Sequence, residues 1–275
     1  MAVSLHSAGK VSFDDIYDRP DPAAYYERMA ELDYCIPEVA KPQFERIIAE
    51  YRSVLGRAPT VLDIGSSYGV NAALLRMDTT VAELADQYRL GDTETYLARD
   101  RARLAALDTG SAVRFIGMDS AGPALSYAAA AGLVHDIVHA DLETAAPTEA
   151  QRRVLADADL VISTGCVGYV TERTLLHVAR AHGSRLPWMA HFVLRMFDFD
   201  PIAGQLAALG YRIERRPGTF RQRRFASEVE QTQVLNTLSA NGIEATGREA
   251  EGWLHAELYV CLPDDHRPTT DEDPS

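Results

Sequence analysis

Cysteine is scarce in this sequence, with three residues, Cys35, Cys166 and Cys261, among 275. They are too few and too scattered for a disulfide framework, and no CxxC pair offers half of a zinc site. Long apolar runs are missing as well. None approaches the ~20 residues needed to cross a bilayer, so no membrane partner is expected, and the opening MAVSLHSAGKVSFDD lacks the apolar core of a secretory leader. Positive charge is in deficit: 27 Lys and Arg stand against 40 Asp and Glu, a net charge of -13. That balance argues against a phosphate backbone and makes nucleic acid a poor partner. No HExxH motif or carboxylate cluster suggests a metal. These absences together make a soluble cytoplasmic protein the expectation.

What remains is enough apolar residue, 47% of the chain, to bury one substantial core. Residues 1–22 are polar and broken by Pro20 and Pro22, which predicts a loosely held arm. Helical spacing follows over Ala23–Leu32 and Pro42–Leu55, so residues 1–58 read as an arm and helical flank. From Thr60 short β-branched runs alternate with helical stretches, the pattern of a parallel sheet covered on both faces. Seven strands are predicted, at Thr60–Ile64, Val113–Met118, Asp136–His139, Leu160–Ser163, Trp188–Arg195, Tyr211–Arg215 and Leu254–Leu262, the last able to close the sheet as an antiparallel member. The fold class is therefore α/β, a doubly wound, mostly parallel, seven-stranded Rossmann-like sheet over residues 59–263. Its tail, 264–275, has almost no apolar residue and is expected to be disordered.

The stretch VLDIGSSYG, Val61–Gly69, is the most informative. A buried strand runs into a tight turn that opens a helix, and Gly65 and Gly69 allow backbone angles and close approach that other residues deny. Ser66 and Ser67 keep the loop small. A Walker A loop would need a lysine that is absent here, and a dinucleotide site would read GxGxxG without an acid beside it. Asp63 would repel pyrophosphate but attract an ammonium group.

At these residues the chain resembles the class I S-adenosylmethionine-dependent methyltransferases, whose first motif reads roughly [VIL]-L-D-x-G-x-G-x-G; Ser67 replaces the middle glycine. Three further segments follow in the expected order: FIGMDS at Phe115–Ser120, IVHADL at Ile137–Leu142 and ADLVISTG at Ala158–Gly165. The resemblance implies that Asp63, Gly65, Ser66, Ser67, Tyr68 and Gly69 cradle the methionine end of S-adenosylmethionine, that Asp119 and Ser120 take the ribose, that Asp141 and Leu142 take the adenine, and that Thr164 and Gly165 face cofactor and acceptor. Tyr26, on the N-terminal flank, would touch the cofactor. A departure is the long interval between Asp63 and Asp119, where a compact unit has about 20 residues between loop and ribose acid; residues 76–111 read as a helical insertion after the first helix.

The implied activity is transfer of a methyl group to an oxygen, nitrogen or carbon of a small molecule. A non-catalytic S-adenosylmethionine-binding protein and an NAD-dependent oxidoreductase are the alternatives. The fourth motif lacks [DN]PP[FY], which disfavours amines of nucleobases. Catalytic candidates are Cys166, a nucleophile or a small spacer, Tyr169 beside it, and His191, a general base or a satisfied core histidine. The basic run Arg212, Arg215, Arg216, Arg221, Arg223 and Arg224 reads as a solvated face balanced by acids, with an anionic acceptor as the alternative. A homodimer is left open.

Overall fold

The computed structural model describes residues 14–107, 113–183 and 185–264. The start of the arm, 1–13, nearly all of the tail, 265–275, and the end of the insertion, 108–111, lie outside the described residues.

Three helices precede the sheet, α1 (Asp14–Tyr17), α2 (Ala23–Glu31) and α3 (Ile36–Leu55). The last runs through Pro42, where the sequence pattern predicts a boundary. An internal proline removes one backbone hydrogen bond and costs about 3 kcal/mol. Phe44, Ile47 and Ile48 are buried on one face of this helix, each worth roughly 1.5–3 kcal/mol, so packing outweighs the local penalty.

β1 (Thr60–Ile64) turns into α4 (Val70–Arg76), followed by α5 (Val81–Gln87) and α6 (Thr93–Ala106) in the stretch expected as an insertion. Both inserted helices start on side-chain caps, a Thr80–Glu83 capping box and the Asp92 carboxylate, which accepts the Thr95 N–H. The alternation resumes with β2 (Arg114–Asp119), α7 (Gly122–Ala131), β3 (Asp136–His139), α8 (Glu149–Ala156), β4 (Leu160–Thr164), α9 (Glu172–Ala181), β5 (Trp188–Leu194) and α10 (Asp200–Ala208). Closing the chain are β6 (Tyr211–Arg215), β7 (Phe220–Arg224), α11 (Glu228–Ala240) and β8 (Trp253–Pro263).

The strands lie in the order β3-β2-β1-β4-β5-β8-β6, with β7 also paired to β8. β1 to β5 are mutually parallel, and β8 runs antiparallel to β5 and β6. β7 is an eighth strand beyond the seven that the pattern predicts. Its sequence, FRQRR, has no apolar alternation, and it pairs only with Trp253–Ala256 at the start of β8, so little in its composition marks it.

Period-two alternation divides the sheet into two cores. Val61, Phe115, Leu160, Ile162 and Phe192 pack with Phe44, Ile47 and Leu238 on one face. Leu62, Ile64, Ile116, Val161 and Val193 pack with Leu175, Val178 and Leu206 on the other. A third cluster, rich in tyrosine (Tyr25, Tyr26, Tyr68, Tyr88, Tyr96 and Tyr127), joins the N-terminal helices to α4–α7. No helix among the described residues is long and apolar enough to cross a membrane. Because the strand order reverses between β1 and β4, their crossovers diverge and leave a crevice beyond the carboxyl ends of both strands.

Candidate functional site

A cavity of about 620 Å³ fills that crevice, within the range typical of small-molecule and cofactor sites. Its floor is the loop after β1, its flanks are the ends of β2, β3 and β4, and its roof is the N-terminal arm with β7.

The loop conformation follows from its small residues. Gly65 (φ 72) and Ser67 (φ 50) are both left-handed; Ser67 stands where the resembled motif has glycine, and the backbone there asks for one. A Cβ on Gly65 would meet the Cys166 Cβ at 3.0 Å, so this glycine lets the loop after β4 close on the loop after β1. Gly69 serves packing: a Cβ there would press on Ala128 and Leu133 at 3.2 Å, and the residue does not line the cavity. Gly117, in mid-strand, leaves room for the Ser66 side chain.

Asp63 is completely buried and does not itself line the cavity. Its Oδ1 accepts from Asn71 Nδ2 at 2.9 Å, and the same amide reaches Thr164 Oγ1 at 3.2 Å. Burial pushes the Asp63 carboxyl up to about 7, against the pull of the Asn71 amide. The acid therefore meets the cavity through Asn71, the second residue of α4. Asp63 Oδ2, Asn71 Oδ1, Ser66 Oγ, Ser67 Oγ and Gln222 Oε1 are all buried without a hydrogen-bond partner. Buried polar atoms are normally satisfied, and four of these five belong to residues that line one cavity, Asp63 standing behind Asn71.

At the end of β2, Asp119 accepts Ser67 N–H at 2.8 Å and Ala121 N–H at 3.0 Å. Burial raises its carboxyl above the usual range while those amides oppose the rise. Ser120, Asp141, Leu142, Thr164, Gly165, Cys166 and Tyr169 also line the cavity. Asp141 is exposed and its Oδ1 takes the Glu143 N–H at 3.0 Å. Next to it, Glu143 Oε1 and Oε2 accept from Thr171 and Thr174, which ties the start of α9 to the cavity wall.

Besides Asp63 and Gly69, three predicted residues lie away from the cavity lining. His191 is fully buried in mid-strand with Nδ1 2.8 Å from Ser163 Oγ, and burial drives it down to about 4, so it is a neutral core histidine outside the cavity. Tyr26 stacks on Tyr88 with ring centroids 5.0 Å apart. Adjacent helical residues point about 100° apart, so Tyr25, with Tyr17 and Tyr34, supplies the aromatic wall in its place. Tyr68 turns away from the cavity and its hydroxyl donates to the carbonyls of Ile16 (2.8 Å) and Arg19 (3.1 Å), strapping α1 over the loop.

Asn71, Glu143 and Gln222 also line the cavity without having been singled out in the sequence, whereas Arg223 was read there only as one of the basic run. Asn71 could be anticipated from its place two residues after Gly69, in the first turn of α4; Gln222 could not, since no strand was expected there. The basic run is mostly paired: Arg212 with Glu214, Arg215 with Glu257, Arg216 with Glu214 and Arg224 with Asp33. Arg221 lies over the Trp253 ring. Arg223, almost wholly buried, makes a bidentate pair with Glu230 at 2.9 and 2.7 Å.

The cavity thus carries four acids, Asp18, Asp119, Asp141 and Glu143, against one arginine that is already neutralised. Among the described residues no group of His, Cys, Asp and Glu could hold a metal ion.

No family model matches the chain, and no curated protein matches it. In the path of its backbone it is similar to several solved structures, methyltransferases among them. One is DhpI in complex with SAH, 14% identical, covering 91% of this chain and 94% of that one at a TM-score of 0.42. Another is magnesium protoporphyrin IX methyltransferase (ChlM) from Synechocystis PCC 6803 with bound SAM, 11% identical, covering 80% and 78% at 0.39. A third is precorrin-6y C5,15-methyltransferase from Geobacter metallireducens GS-15, 13% identical, covering 74% and 79% at 0.38.

Proposed function

We propose that this protein is an S-adenosylmethionine-dependent methyltransferase acting on a small molecule. The observation that carries the reading is the acidic cavity at the switch point, edged on the loop side by unpartnered buried oxygens of Ser66, Ser67 and Asn71 and without a free cation in its lining. A nucleoside di- or triphosphate would bring anionic oxygens against four acids. A sulfonium amino acid brings two positive groups against one carboxylate, a net positive charge.

In this assignment Gly65, Ser66, Ser67 and Asn71, the last held by Asp63, receive the methionine end. Asp119 and Ser120 receive the ribose, whose hydroxyls can donate to the lone pairs that the Ser67 and Ala121 amides leave on Asp119. Asp141 and Leu142 border the adenine, and Thr164 and Gly165 face the transferring group. When bound, the cofactor supplies an electrophilic methyl group. The chain's part is to orient an acceptor in line and keep water out, which Tyr17, Tyr25, Met29 and Tyr34 do from the arm. Tyr169 and Cys166 are the residues at the acceptor edge able to contact the reacting atom. His191, sealed in the core, takes no proton from it.

Titration calorimetry tests the assignment. S-adenosylmethionine and S-adenosylhomocysteine are expected to bind with about 1:1 stoichiometry, and NAD and ATP not to bind. Binding of NAD in preference to either would overturn it.

A further inference from the structure

β7 contains an irregularity directly over the cavity. Arg221 pairs with His255 and Arg223 with Leu254, so Gln222 is an extra residue, a bulge in an edge strand. Without it, alternation would send Gln222 and Arg223 to opposite faces; with it both are buried in succession, in the pattern Arg221 exposed, Gln222 and Arg223 buried, Arg224 exposed. The bulge is pinned from the other side: Cys35 N–H donates to the Gln222 carbonyl at 2.9 Å and Arg224 N–H to the Leu32 carbonyl at 2.8 Å.

This aims a buried amide into the cavity. Gln222 is 2% exposed and lines the site, and its Oε1 has no hydrogen-bond partner. A Cβ on Gly165 would stand 2.1 Å from Gln222 Nε2, so the glycine at the end of β4 is what admits the side chain. The same cavity is lined by the rings of Tyr17, Tyr25, Tyr34 and Tyr169. Arg223, the neighbour that could clamp an anion, is bound at both terminal nitrogens by Glu230.

We infer that Gln222 selects the methyl acceptor, and that the acceptor is an uncharged, flat aromatic molecule whose hydroxyl or N–H donates to the Gln222 side-chain carbonyl. The inference rests on the methyltransferase reading and names the substrate class of that same site. A buried acceptor left unmatched penalises any ligand that lacks the donor, which is how a site rejects a near-isostere. An anionic acceptor, left open from the basic run, would meet four acids and no free cation.

Three probes of one shape test this on the full-length protein saturated with S-adenosylhomocysteine: 2-naphthol, 2-methoxynaphthalene and 2-naphthoate, with binding read by calorimetry. 2-Naphthol is expected to bind about tenfold more tightly than the methyl ether, and 2-naphthoate more weakly than either. In Gln222→Leu, and in Gln222→Met as a second shape-conserving variant, the preference for naphthol is expected to collapse to about twofold or less, with S-adenosylhomocysteine affinity kept within about twofold. Failure of naphthol to bind, equal binding of naphthol and ether in the wild type, a preference that survives both variants, or preference for naphthoate each overturns the inference. Failure of S-adenosylhomocysteine to bind wild-type protein at all strikes the methyltransferase reading itself, so the two failures are told apart.

Discussion

Asp63 is a carboxylate sealed inside the sheet, and its cost has a pH signature. With its folded value raised to about 7 and an unfolded value near 3.9, the native state holds more protons than the unfolded chain between those limits. Stability of the unliganded protein therefore falls as pH rises through that window and levels off above it. Asp63→Asn keeps an oxygen for the Asn71 amide and removes the charge. Its melting temperature is expected to exceed the wild type at pH 8, at roughly 2–4 °C per kcal/mol gained, with the gain shrinking toward pH 4; thermal melts across that range check it, and a pH-independent difference would contradict it. The same variant should bind S-adenosylmethionine about tenfold more weakly, a loss of ~1.4 kcal/mol. Ser67 offers a second test. Its left-handed backbone costs roughly 1–2 kcal/mol, while glycine's extra chain entropy costs about 0.5–1 kcal/mol. Ser67→Gly should then be neutral or stabilising by up to ~1 kcal/mol in chemical denaturation, and Ser67→Val destabilising.

Two elements are each tied to the cavity wall by the polar contacts of one side chain. Tyr68→Phe removes the hydroxyl that donates to the carbonyls of Ile16 and Arg19, so α1 should loosen. Amide exchange over residues 14–19 is expected to accelerate by about fivefold, for ~1 kcal/mol of lost hydrogen bonding, with the sheet unaffected; unchanged exchange there would mean that the strap has no hold on the roof. Helix α9 depends on Glu143, which accepts from the backbone and hydroxyls of Thr171 and Thr174. Despite partial burial, those hydrogen bonds keep its carboxyl below the usual range, so this contribution is present near neutrality and fades as pH falls through the lowered value. Glu143→Ala should destabilise by about 2 kcal/mol in urea unfolding at pH 7. Strands β1 to β5 lie within a residue of their predicted places because apolar runs ended by turn residues are local signals. β7 was missed because its register comes from β8 and from Leu32 and Cys35, far away in sequence. Pro42 misled for a related reason: the helix it interrupts is held by core contacts that no local window contains.

At the scale of the whole molecule, charge and topology converge on one crevice. A chain of net charge -13 with an acid-lined cavity should hold cationic S-adenosylmethionine more tightly at low ionic strength. Its demethylated product lacks the sulfonium charge, so the ratio of the two affinities is expected to fall as salt rises from 20 to 500 mM, by about threefold under ordinary screening; a salt-independent ratio would argue that the acids do not sense the ligand. Most of this whole was already determined by the sequence, since the sheet, its glycine loop and the acids at the ends of β1, β2 and β3 depend on period, turn chemistry and spacing, all properties of short segments. Tertiary structure alone decided that Asp63 lies behind Asn71, that His191 is sealed away, that Tyr25 and not Tyr26 faces the cavity, and that a bulge brings Gln222 to it. Each of these depends on the direction of a side chain relative to elements dozens of residues distant, and such directions exist only once the chain has packed.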